Sequence, residues 1–145
     1  MIVGVGVDVC EIARVERALA GRNGAHFRAR VFTAGETAYC ERRGRTAAQS
    51  YAATFAAKEA ALKAFGTGWS EGLAWRHVEV VHDAGGAPGL ALHGPARTLA
   101  RRRGVVRTHL TLSHAGALAV ALVVLERRAA ATARGPRPKA RPRSR

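Results

Sequence analysis

The chain has 145 residues, of which 24 are lysine or arginine and 10 aspartate or glutamate, for a formal charge of +14; apolar residues make up 48% and aromatics only 6%. That length supports one domain burying roughly 70% of its unfolded surface without covalent staples, and Cys10 and Cys40 fit no metal-binding pattern. Nothing like a signal peptide or a run of about 18 apolar residues is present, which excludes a membrane span and leads us to expect a reduced, cytoplasmic protein whose charge suits nucleic acid, an acidic protein or a phosphorylated small molecule.

The opening IVGVGVDV places Val3, Val5, Val7 and Val9 at period two, with Gly4, Gly6 and Asp8 on the opposite face, the pattern of a half-buried strand. EIARVERALAG follows with Ile12, Val15 and Leu19 on one helical stripe, Arg14 and Arg17 away from it, and Gly21 as the stop. Residues 27–33 read as a mixed stretch. Thr33 with Glu36 three residues later predicts a capping box for a helix through about Arg43. The longest predicted helix runs over residues 46–65 with Tyr51, Phe55, Leu62 and Phe65 inward and Gly66 at its exit.

HVEVVHD and GLALHG flank the turn Ala84–Pro88 and predict a hairpin. Pro95 opens a helix to about Arg103 that ends at Gly104. RTHLTLS and ALAVALVVLE are two β runs around HAG, and the second, apolar on both faces, reads as a central strand. The order predicts an α+β fold in which a largely antiparallel sheet packs against a long helix. Residues 1–128 form the predicted domain. Residues 129–145 carry Arg134, Arg137, Lys139, Arg141, Arg143 and Arg145 among three prolines and no acid, the composition of a disordered solubilising tail.

Several residues invite chemistry. GVGVDV lacks the third glycine of a dinucleotide loop, having Val9 there, and its glycines alternate inside the strand instead of following it. Glycines so placed let another backbone or a ligand approach. Asp8, between two valines on that face, needs a partner: one of the many arginines, or a cation. Glu59 and Lys63 share a helix face, where an exposed pair contributes only about 0.3–0.5 kcal/mol, and Lys58, about 100° around the helix, reads as solvated. The alternative is that Glu59 and Asp8 converge on Mg²⁺, which takes a few carboxylates, water and phosphate oxygens, while Lys63 faces the remaining phosphate charge. Gly66 and Gly68 would admit a ligand, although a helix C-terminus repels anions. His114, after Ser113, offers a phosphate donor or an acid/base group at the last turn.

Taken together, GVGVDVCEIARVE, FAAKEAALKAFGTG, GGAPGLALHG and LTLSHAGALAVALVVLE, in this order, closely resemble the holo-(acyl-carrier-protein) synthase family, over residues 1 to about 127. The resemblance implies a 4′-phosphopantetheinyl transferase that moves the arm of coenzyme A onto a serine of apo acyl carrier protein, requires magnesium, and works as a homotrimer with active sites at subunit interfaces. By the same match Asp8 and Glu59 are metal-binding acids and Lys63 lies beside the phosphates. Gly66, Thr67 and Gly68 line the coenzyme's path, Gly86 and Pro88 its adenine end, and His114 contacts it. Glu59, Lys63 and His114 form the implied catalytic set.

Acyl carrier proteins are acidic, so Arg14, with Arg17 and Arg22, is the implied docking site. Two departures touch detail only: Ala115 stands where many members carry a polar residue, and the turn GGAP lacks a polar side chain. The alternative from another class is a basic nucleic-acid-binding protein, which lacks interleaved aromatics; the tail would bind RNA only incidentally. A catalytically dead trimeric scaffold is the second alternative.

Overall fold

The computed structural model describes residues 1–68, 70 and 72–129, so the predicted tail lies outside the described residues but for Ala129. Strand β1 (Ile2–Glu11) leads into helices α1 (Ile12–Ala20), α2 (Gly24–Val31) and α3 (Ala34–Glu41), then the long α4 (Ala47–Phe65). A 3₁₀ turn at Trp75–His77 precedes the hairpin β2 (Val78–His82) and β3 (Pro88–Leu92), helix α5 (Gly94–Arg102), and strands β4 (Val105–Ala115) and β5 (Leu118–Arg127). The main sheet has the antiparallel order β1-β5-β4, with β2-β3 as a separate ribbon. The apolar β5 is central, as its two-faced pattern predicted.

Helix α4 is the core. Tyr51, Leu62 and Phe65 are buried as expected, Phe55 only half so, and Ala52, Ala56, Ala57, Ala60 and Ala61 are buried as well. Short side chains all round let the sheet close on one side of α4 while α1, α3 and β2 close on the other. The inward face of β1 is the reverse of the one its valines suggest. A methyl added to Gly6 would lie 1.9 Å from the Ala60 carbonyl oxygen, and one added to Gly4 2.2 Å from that of Ala64. The strand glycines therefore admit another backbone, that of α4. The valines turn outward and remain exposed, Val5 at 57%, Val7 at 50% and Val9 at 55%, beside Leu118 and Leu122.

The capping box forms as read: Glu36 N donates to Thr33 Oγ1 at 3.2 Å and Thr33 N to Glu36 Oε2 at 2.8 Å. Helix α2 was not legible, because only Phe27 and Val31 of its eight residues mark a helical stripe. Lys58 is not solvated. It is fully buried and sits 2.8 Å from buried Glu36, since only the Phe55–Glu59–Lys63 stripe of this part of α4 reaches solvent and a position about 100° from Glu59 lies off it. Burial pulls its pKa below the ordinary lysine value, with the Glu36 charge opposing.

Candidate active site

Asp8 lies in the middle of β1, opposite Ala121, on the glycine face against α4. Its expected arginine partner is instead a lysine: Lys63 Nζ donates to Asp8 Oδ1 at 2.7 Å and to the Val7 carbonyl at 3.1 Å. Glu59, one turn earlier on α4, faces the same space. Asp8, Cys10, Arg14, Phe55, Glu59 and Trp75 line a cavity of about 210 Å³. Strand and helix acids far apart in sequence thus share one recess, with the Lys63 ammonium at its edge. Burial pushes the pKa of Cys10 up, against the pull of Arg14, so this thiol is a neutral wall of the cavity.

Among the described residues no group of three or more His, Cys, Asp or Glu side chains is placed to hold a metal ion. A divalent cation in this recess could draw on two carboxylates, Asp8 and Glu59, and would take its other ligands from water and substrate oxygens. That donor set fits Mg²⁺, which keeps several waters and takes phosphate oxygens. It does not suit zinc, which prefers a closed set of histidine and thiolate ligands.

Gly66, Thr67 and Gly68 follow directly. Gly66 caps α4 with φ +66° and Gly68 has φ +56°, while a methyl at either would meet nothing within 4 Å. Within the chain, then, glycine is needed for left-handed backbone. The repulsion of an anion by the helix C-terminus is eased from one side, because Arg103 donates to the Phe65 carbonyl.

Gly86, Pro88 and His114 lie elsewhere, in a second cavity of about 380 Å³ walled also by Tyr39, Arg43 and His82. His114 is on β4 and not at the turn, which is Gly116–Ala117. Tyr39 and His82 stack at 3.8 Å and 7°, and Arg43 lies 5.7 Å over the Tyr39 ring. Burial lowers the His82 pKa and Arg43 lowers it further, so the ring is neutral and stacks as an apolar plate. Arg17 and Arg22 are exposed on and after α1, and Arg14 alone of the three lines the acid cavity.

Sequence reasoning missed Trp75, Phe55 as a cavity wall, and the Tyr39–Arg43–His82 group. Trp75 follows a glycine-rich segment with no periodic pattern. His82 could have been noticed as the polar end of a strand beside the GGAP turn.

A family model described as the 4′-phosphopantetheinyl transferase superfamily matches residues 4–123. The holo-[acyl-carrier-protein] synthase of Anaeromyxobacter dehalogenans is 54% identical over 128 residues, covering 87% of this chain and 97% of that protein. The crystal structure of holo-[acyl-carrier-protein] synthase from Neisseria meningitidis superposes with TM-score 0.79 at 31% identity, over 88% of this chain and all of that one. The enzyme of that name from Bacillus anthracis, solved in complex with CoA (3′,5′-ADP), gives TM-score 0.71 at 34% identity, over 88% of this chain and 99% of that one.

Proposed function

The chain belongs to the holo-[acyl-carrier-protein] synthases of the 4′-phosphopantetheinyl transferase superfamily, and from that premise we propose that it transfers 4′-phosphopantetheine from coenzyme A to a serine of apo acyl carrier protein, with magnesium. The observation that carries this reading is the meeting of Asp8 and Glu59 in one small cavity with Lys63 2.7 Å from Asp8.

In the proposed reaction the carrier's serine oxygen attacks the β-phosphorus of coenzyme A. The bond from that phosphorus to the bridging oxygen breaks, and adenosine 3′,5′-bisphosphate leaves with the electron pair. Asp8 and Glu59 would hold the magnesium ion, which when bound polarises the pyrophosphate and neutralises its charge. Lys63, half exposed, can swing from Asp8 toward the departing phosphate and stabilise it electrostatically. A carboxylate oxygen of Glu59 takes the serine proton as general base. His114 has no place in this step within one chain, and we assign it with Gly86 and Pro88 to the coenzyme's adenine end.

The separation of the two cavities and the outward valine face of β1 both support a homotrimer, in which neighbouring copies cover the valines and bring the halves of the site together. Sedimentation that finds only the 15.4 kDa species at assay concentration contradicts it. Docking of an acidic carrier is assigned to Arg14, with Arg17 and Arg22 beside it. Arg14→Glu is expected to raise the KM for the carrier about tenfold or more, and less so in high salt, with that for coenzyme A unchanged; equal changes in both constants remove the docking role. The direct test of function is incubation with coenzyme A, Mg²⁺ and several apo carriers. A mass gain of one phosphopantetheine on serine supports the reading, and none on any carrier refutes it.

A further inference from the structure

The only charged side chains fully buried among the described residues, Lys58 and Glu36, belong to no catalytic assignment. Lys58 Nζ spends its donors on Glu36 Oε2 at 2.8 Å, the Val78 carbonyl at 2.7 Å and the Trp75 carbonyl at 3.0 Å. Glu36 is equally committed: Oε1 accepts from Val80 N at 2.7 Å and Oε2 from Thr33 N at 2.8 Å. One ion pair thus fastens α4, the start of α3, the Trp75 turn and β2 at a point one residue from Glu59. The Trp75 ring stacks on Phe55 at 4.8 Å, and both rings wall the cavity that holds Asp8 and Glu59.

A buried ion pair is a weak source of stability, since well-packed apolar residues often serve as well or better. What it supplies is direction, because ammonium and carboxylate accept few geometries once desolvated. Two apolar side chains in the same place would leave the Trp75 carbonyl to the Val78 amide of its own turn and remove its hydrogen bond to α4.

We infer that Lys58 and Glu36 are positioning residues for the transfer reaction, which hold the Trp75 wall against Glu59 by gripping the Trp75 and Val78 main chain. Their role depends on the Asp8–Glu59 cavity being the reaction site, as proposed above. The Phe65 and Trp75 carbonyls are then both held by basic side chains, the first by Arg103 and the second by Lys58.

Lys58→Met alone strands a buried carboxylate and destabilises the fold, so the informative variant is Lys58→Met with Glu36→Gln, which removes both charges and keeps an acceptor for one of the Glu36 amide partners. Trp69 is the other tryptophan of the chain, and a Trp69→Phe background isolates the Trp75 emission. In the folded double variant we expect that emission to shift to longer wavelength and to become more readily quenched by acrylamide. In the same variant kcat is expected to fall about tenfold or more, with KM for coenzyme A changing less than about threefold, because Lys63 and Gly66–Gly68 are untouched. Trp75→Ala removes the wall but keeps the main-chain carbonyl that Lys58 grips, and is expected to show the same loss of kcat, so the inference stays testable where the double variant does not fold. An unchanged emission or an unchanged kcat in the folded double variant, or an unchanged kcat in Trp75→Ala, overturns the inference. If the unaltered protein itself transfers nothing, the proposed function fails, and the Trp75 emission still decides whether the pair positions the wall.

Discussion

Glu59→Gln is expected to lower turnover by roughly 10²–10⁴-fold while the protein remains folded. The substitution keeps the shape and hydrogen-bonding reach of the side chain, so the half-buried position on α4 is still filled. It removes the charge that Asp8 alone cannot supply to a divalent ion, and the basic oxygen that takes the serine proton. Both losses act on the chemical step, so kcat falls more than KM for either substrate rises. Thermal melting by circular dichroism separates this from unfolding. Near-normal turnover at saturating Mg²⁺ removes Glu59 as the base.

The largest expected effect on stability comes from a methyl group. Gly6→Ala puts a carbon 1.9 Å from the Ala60 carbonyl oxygen and 2.6 Å from Ala64 N, both main-chain atoms of buried residues on α4. No rotamer relieves that contact, so β1 and α4 must separate. Overpacking against side chains costs about 1–3 kcal/mol, and against main chain we expect about 3 kcal/mol or more, a large share of the roughly 5–15 kcal/mol that holds an ordinary domain. Asp8 is two residues from Gly6 on the same face and Glu59 adjoins Ala60, so the separation also pulls the two acids apart and activity falls with stability. Urea unfolding measures the cost. Gly89→Ala is the control, since its methyl would meet only the Val81 side chain at an ordinary 3.7 Å; an equal shift in midpoint for both variants shows that the β1–α4 approach is not special.

Much of this was written in local patterns. Thr33 and Glu36 announced a helix start, Gly66 a helix end, Pro95 another start, and β5 its central place, because each signal rests on backbone chemistry that neighbours in sequence satisfy between themselves. The misreadings share a cause. Val3, Val5, Val7 and Val9 look like a core face by hydropathy, yet the opposite face is inward because α4 offers alanines and a carbonyl row that only glycine can meet. Lys58 looks solvated on a helical wheel, yet it lies on a covered face of α4 and Glu36 answers it from another helix. Asp8 required a partner, and the charge count favoured arginine, but the register of β1 on α4 brings Lys63. In each case the deciding atom lies on an element distant in sequence.

Geometry within one chain does not gather Gly86, Pro88 and His114 with Glu59, since the two sets line separate cavities; that they would serve one coenzyme is what the family resemblance implies. The two cavities differ in their chemistry. One presents two carboxylates and an ammonium, suited to a cation and a pyrophosphate; the other presents a stacked tyrosine and histidine under an arginine, suited to a flat ring and an anionic group.

In the proposed enzyme Asp8 and Glu59 hold one divalent ion at the pyrophosphate. Anomalous scattering from Mn²⁺, in crystals grown with coenzyme A, tests it most directly. One strong peak is expected within coordinating distance of both carboxylates and of a pyrophosphate oxygen. A peak bound by neither acid, or coenzyme A seated with no metal between them, contradicts it.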